Sequence, residues 1–185
     1  MSPQEQQSLL ELARATMAAR LSGRRSEAPE ASAPGSPSFG GLFVSLHRGR
    51  QLRGCIGTFS PRGDLEQTVR EMSLAVLTDS RFVKDPVTAA ELPELHIEIS
   101  VLSASVPTKD PLSLEVGRHG VIVEREGRSG CFLPQVGSQQ GWSAKRLLTE
   151  CCTQKAHLPA DAWKDPRTQV LLFTAEVFGE PAASS

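Results

Sequence analysis

No stretch of this chain is apolar for long enough to cross a membrane. A spanning helix needs about 20 such residues, and the longest apolar runs here are far shorter. Excess charge is missing too. The net charge is −1 at pH 7, so there is no general electrostatic case for nucleic acid or a membrane surface as a partner. The N-terminus opens with Gln and Glu rather than a basic region followed by an apolar one, so no export signal is visible. Cysteine is scarce: Cys55, Cys131, Cys151 and Cys152, with no CxxC pair. Cys151 and Cys152 are adjacent and poorly placed to bond each other. Reduced thiols in a cytoplasmic protein are therefore expected. His47, His96, His119 and His157 stand alone, without the spacing of HExxH, so no metal and no cofactor is expected. No βαβ repeat or phosphate loop interrupts the chain.

What is present fits a globular protein. A length of 185 residues suits one domain, or one domain with a small appended lobe. Hydrophobic residues make up 39% and charged residues 22%, ordinary values for that class. Ser2 and Pro3 open a helix, and Leu9, Leu10, Ala13, Met17 and Leu21 follow at helical spacing. Residues 22–38 are rich in Gly, Ser, Pro and Ala; they read as a flexible linker or long loop. A hairpin follows over 41–59. Asp64, with Gln67 at the capping-box position, starts a helix whose stripe is Leu65, Val69, Met72 and Val76. Asp79-Ser80-Arg81-Phe82 is a polar loop. Thr88 and Glu91 repeat the capping-box pattern ahead of a short helix that Pro93 stops.

Residues 95–103 alternate, with Ile97, Ile99 and Val101 on one face and His96, Glu98 and Ser100 on the other. Leu112, Leu114 and Val116 suggest a short edge element. A second hairpin spans 120–133, and Pro134-Gln135 ends it. Ser143 caps a helix running to about His157, with Cys151 and Cys152 as packing residues. Trp163 is a core anchor. Residues 168–178 form a last strand expected to pair back to the first hairpin. The order of elements argues α+β with a largely antiparallel sheet flanked by helices.

One strand stands out: Leu52-Arg53-Gly54-Cys55-Ile56-Gly57-Thr58. Glycine weakens a strand interior and often marks a close backbone approach. Arg53 lies two residues from Cys55, so a regular strand puts both side chains on one face. A cation beside a thiol favours the reactive thiolate, and Arg81 can also reach it if the loop after the Asp64 helix returns to the hairpin. The bland alternative is that Cys55 is a small buried hydrophobe. No histidine partner for it belongs to a motif, whereas Glu98 is a plausible acid or base.

The Leu-Arg-Gly-Cys-Ile-Gly-Thr motif resembles the signature of the AMMECR-type family, also known as AmmeMemoRadiSam system protein A. Asp79-Ser80-Arg81-Phe82, Glu91-Leu92-Pro93, Ile97-Glu98-Ile99-Ser100, Phe132-Leu133-Pro134-Gln135 and Ala162-Trp163 resemble further family blocks in the same order. The resemblance covers roughly residues 39–180. It implies a two-lobed fold, with a larger lobe from both chain ends and a smaller one between. Residues 1–21 then pack as a helix on the main domain, and 181–185 are a tail. It also implies a pathway shared with Memo-like and radical-SAM proteins. Two functions stay open. One is an enzyme or enzyme subunit acting on a small or peptide-like substrate at a cleft between lobes. Its catalytic residues are Cys55 and Glu98, and Arg53, Gly54, Gly57, Thr58, Arg81 and Gln135 bind substrate. The other is a binding module that takes a peptide or partner along the 52–58 strand.

Overall fold

The computed structural model of the chain describes residues 1–24 and 39–180. Most of the segment expected as a linker, and the tail at 181–185, lie outside the described residues. The helices are α1 (Pro3–Leu21), α2 (Leu65–Val76), α3 (Pro134–Gln139) and α4 (Ala144–Glu150). The strands are β1 (Gly41–Arg48), β2 (Gln51–Thr58), β3 (His96–Leu102), β4 (Val106–Pro107), β5 (His119–Arg125), β6 (Arg128–Phe132) and β7 (Gln169–Gly179). The class is α+β, as the element order implied. No helix among the described residues is long and apolar enough to cross a membrane.

The chain forms two compact units, Met1–Val101 with Glu176–Ser185, and Leu102–Ala175. In the first, the hydrogen-bonded strand order is β2-β1-β3 followed by the end of β7. Helix α1 starts on a complete capping box. The Ser2 hydroxyl accepts the Glu5 N–H, and the Glu5 carboxylate accepts the Ser2 N–H at 2.7 Å. Two backbone donors that the helix itself leaves unpaired are thereby satisfied. The expected stripe is buried: Leu9, Ala13 and Met17 pack with Val69 and Val76 of α2. Leu42, Val44 and Leu46 of β1 and Ile97 and Ile99 of β3 close the core. Each such fully buried side chain contributes about 1.5–3 kcal/mol. Arg14 bridges the ends of the unit. It forms an ion pair with Glu180 and donates to the Leu92 and Leu95 carbonyls.

In the second unit the order is β7-β5-β6, with β4 on β7. The β5–β6 and β5–β7 pairings are antiparallel. Val121, Val123 and Phe132 pack against Leu147, Leu148, Cys151, Cys152 and Trp163. Burial disfavours the thiolate form of this cysteine group. It pushes the Cys151 thiol up to about 12 and raises Cys131 and Cys152 as well.

Several expectations are corrected. The last strand pairs with β3 and β5, not with the first hairpin. Residues 111–113 form a 3-10 turn, and the short strand of this region is β4 instead. Pro134 begins α3, a helix the sequence reading missed, because proline suits a first helical turn as well as a strand end. The helix from Ser143 gives way at Cys151 to a π-helical turn over Cys151–Lys155.

Candidate functional site

Strand β2 is the terminal strand of the first unit's order. Its register with β1 pairs Ser45 with Cys55 and Leu46 with Gly54, then jumps to His47 with Leu52. Arg53 is therefore the extra residue of a β-bulge. Strict alternation breaks there, so the expectation that Arg53 and Cys55 share a face does not hold. The partners of Cys55 locate its side chain. Leu42, Val44 and Leu46 face the core, so Ser45 and Cys55 lie on the opposite face. Glu98 alternates with the buried Ile97 and Ile99 and lies on that face too.

The arginine that reaches Cys55 is Arg81, which meets its backbone carbonyl. The residue before β3 that matters most is Asp79, whose side chain is 2% exposed. Its carboxylate accepts the Cys55 N–H at 3.0 Å. It also accepts the Arg81 backbone N–H, Nε and Nη2, at 3.1, 3.0 and 2.6 Å. Arg81 Nη2 in turn donates to the Cys55 carbonyl at 2.9 Å. The Asp79–Arg81 turn thus occupies both backbone groups of Cys55 on the open edge of β2. Arg81 holds the Asp79 carboxyl well below the usual carboxylate range. Asp79 most strongly, and the Cys55 sulfur beside it as well, raise the Arg81 guanidinium above its ordinary value. Half of the Arg81 side chain remains exposed.

Arg53 is committed elsewhere. Its residue is 4% exposed. Nε and Nη2 grip the two Glu91 oxygens at 2.6 and 3.0 Å, Nη1 donates to the Asp85 carboxylate at 2.9 Å, and Nη2 to the Asp85 carbonyl at 3.1 Å. Glu91 is expected from sequence to cap the short helix after Thr88. Its backbone N–H does meet the Thr88 hydroxyl, but its carboxylate goes to Arg53. That pairing lowers the Glu91 carboxyl and raises the guanidinium. A hollow of about 350 Å³ opens beside this ion pair, lined by Arg48, Gln51, Arg53, Asp85, Glu91 and Glu94.

The two glycines have packing reasons rather than open backbone. A Cβ on Gly54 would sit 2.8 Å from Val76 Cγ2 and 3.0 Å from the Val76 carbonyl, so α2 rests on this residue. A Cβ on Gly57 would enter the Phe43 ring and come 2.5 Å from the Leu42 carbonyl. Gly57→Ala is therefore expected to cost about 1–3 kcal/mol through overpacking. Thermal unfolding of the variant checks this, and an unchanged melting temperature would show that Phe43 swings away freely. The Thr58 hydroxyl accepts the Ser60 N–H and shapes the turn after the strand. Gln135 belongs to α3 in the second unit, and its Oε1 is buried with no hydrogen-bond partner among the described residues. Among the described residues, no group of His, Cys, Asp and Glu is arranged to hold a metal ion.

Sequence reasoning placed Asp79 in a polar loop and gave Asp85 no role. The available signal was the single-residue spacing of Asp79 and Arg81, which lets a carboxylate accept both a backbone and a guanidinium N–H locally.

Comparison with known proteins agrees with the fold. The AMMECR1 family model matches residues 10–178, and the chain belongs to that family. A protein of Thermococcus gammatolerans is 42% identical over 169 residues, covering 85% of this chain and 81% of its own. Protein PH0010 of Pyrococcus horikoshii is 38% identical over 184 residues, covering 93% and 88%. The crystal structure of PH0010 superposes with a TM-score of 0.79 at 36% identity, covering 93% of this chain and 89% of that one.

Proposed function

We propose that the chain is an enzyme or enzyme subunit that uses the Cys55 thiol on a small or peptide-like substrate. The carrying observation is the Arg81 guanidinium, fixed by buried Asp79 and hydrogen-bonded to the Cys55 carbonyl. The exposed part of that guanidinium suits an anionic or carbonyl oxygen of a substrate. Glu98, on the same face of the sheet, supplies an acid or base. In this reading Arg81, rather than Arg53, is the cation that serves Cys55. The family resemblance supports a cytoplasmic pathway with Memo-like and radical-SAM proteins as partners.

The test is alkylation by iodoacetamide at neutral pH, with each cysteine followed by mass spectrometry. Cys55 is expected to react first, well ahead of Cys131, Cys151 and Cys152. Arg81→Ala is expected to slow Cys55. A Cys55 that stays protected until unfolding would end this reading.

A binding module remains the second reading, because β2 is the terminal strand of its unit's order. Strand addition at Cys55 would have to displace Asp79 and Arg81 from its backbone, since both groups are taken. In that case Cys55→Ser is mild and partner affinity depends on Arg81 leaving the edge.

A further inference from the structure

We infer that Arg53 is a positioning residue, acting through the 79–91 segment to keep Arg81 and Asp79 on Cys55. This rests on the thiol reading above and names the device that holds that site together.

A chain of hydrogen bonds runs along the segment. Arg53 grips Asp85 twice, by carboxylate and by carbonyl, and Glu91 twice. The Asp85 N–H donates to the Phe82 carbonyl, and the Phe82 N–H donates to the Asp79 carbonyl, each at 2.9 Å. Residues 79–85 are thus two linked turns. Arg53 holds their far end, and the Cys55 backbone meets their near end at Asp79 and Arg81. A second route runs through the Phe82 ring, which has the Arg53 guanidinium carbon 5.8 Å and the Arg81 guanidinium carbon 5.7 Å from its centroid. Both distances are within reach of cation–π attraction.

The bulge supplies the reason for the arrangement. It removes Arg53 from the cross-strand register and re-aims its side chain, as bulges do beside functional sites. The guanidinium fork matches the Glu91 carboxylate with two parallel bonds, which fixes orientation as well as charge. An arginine serving only to bind substrate would need free donors. Arg53 instead has a buried side chain and spends its donors on the segment that carries Arg81.

The experiment uses the full chain with Glu91→Gln and, separately, Phe82→Leu. Two quantities are read: hydrogen exchange at the Cys55 amide, and the rate of Cys55 alkylation at neutral pH. The Cys55 amide is held only while the segment stays docked, so its exchange reports local opening. Both variants are expected to speed it by about tenfold or more, while the Ile122 amide in the second unit keeps its wild-type rate. Both should also change the rate of Cys55 alkylation at neutral pH in the direction that Arg81→Ala changes it. In an Arg81→Ala background, Glu91→Gln should add nothing further to that rate change, because the route it breaks ends at Arg81. Unchanged Cys55 protection with a lowered melting temperature would overturn the inference and leave Arg53 a purely structural residue. If wild-type Cys55 fails to alkylate ahead of the others, the thiol reading fails; the amide exchange still decides whether Arg53 positions the segment.

Discussion

Arg53→Ala is expected to lower stability by about 3–5 kcal/mol, the usual cost of removing one partner from a buried ion pair. The Glu91 carboxylate is 11% exposed and loses two bonds at once. Asp85 contributes less to the loss, since its side chain is 80% exposed and water replaces the guanidinium. Urea unfolding checks the prediction through a fall in the midpoint at an unchanged slope. Arg53→Lys should fall between the two, because an ammonium keeps the charge and lacks the two-pronged fit. Arg53→Met combined with Glu91→Leu should recover much of the loss, since an apolar pair leaves no charge buried alone. A loss under about 1 kcal/mol for Arg53→Ala would show that Glu91 finds water or another donor.

Acid should weaken the first unit, and Asp79→Asn should remove part of that dependence. Arg81 and the Cys55 N–H favour the ionised Asp79 carboxylate, and Arg53 favours ionised Glu91. Both groups therefore titrate at lower pH when folded than when unfolded. Between their folded values and the ordinary carboxylate value of about 4, the unfolded chain binds more protons than the folded one. Their contribution to stability is complete above the unfolded value and is lost as the pH falls toward the folded one. Each contributes a slope of up to about 1.4 kcal/mol per pH unit in that window. Asp79→Asn keeps the shape but loses the charge that four donors meet. At neutral pH it is expected to cost about 3 kcal/mol, the scale of one or two charge-assisted hydrogen bonds. Below pH 4 its stability curve should be flatter than that of the wild type by one titrating group. Denaturant unfolding from pH 7 to pH 3 compares them, and parallel curves would mean that Asp79 is not the group being titrated.

Much of the fold was legible because it rests on local patterns. The Ser2 capping box, the Asp64 cap, the stripe of α1 and the alternation of β3 each depend on residues a few positions apart. These patterns, with the absence of any βαβ repeat, determined the α+β class and the core faces. The place of β7 between β3 and β5 was not legible, because strand neighbours are chosen by long-range pairing that leaves no mark in a single strand's pattern.

The same division runs through the site. The sequence by itself determined that Cys55, alone of the four cysteines, stands in a glycine-flanked strand motif, and that Arg81 and Glu98 belong to blocks resembling the same family. Only the tertiary structure decided which arginine reaches Cys55. A one-residue bulge at Arg53 undoes the two-residue alternation and sends that guanidinium to Glu91 and Asp85. The vacant role falls to Arg81, which is 26 residues from Cys55 in sequence and is brought to it by the buried Asp79 carboxylate. Glycine likewise reads in sequence as open backbone, whereas Val76 and Phe43 fill the space over Gly54 and Gly57. A bulge and a packed ring are decided by what lies across the fold, and no spacing along one strand encodes them.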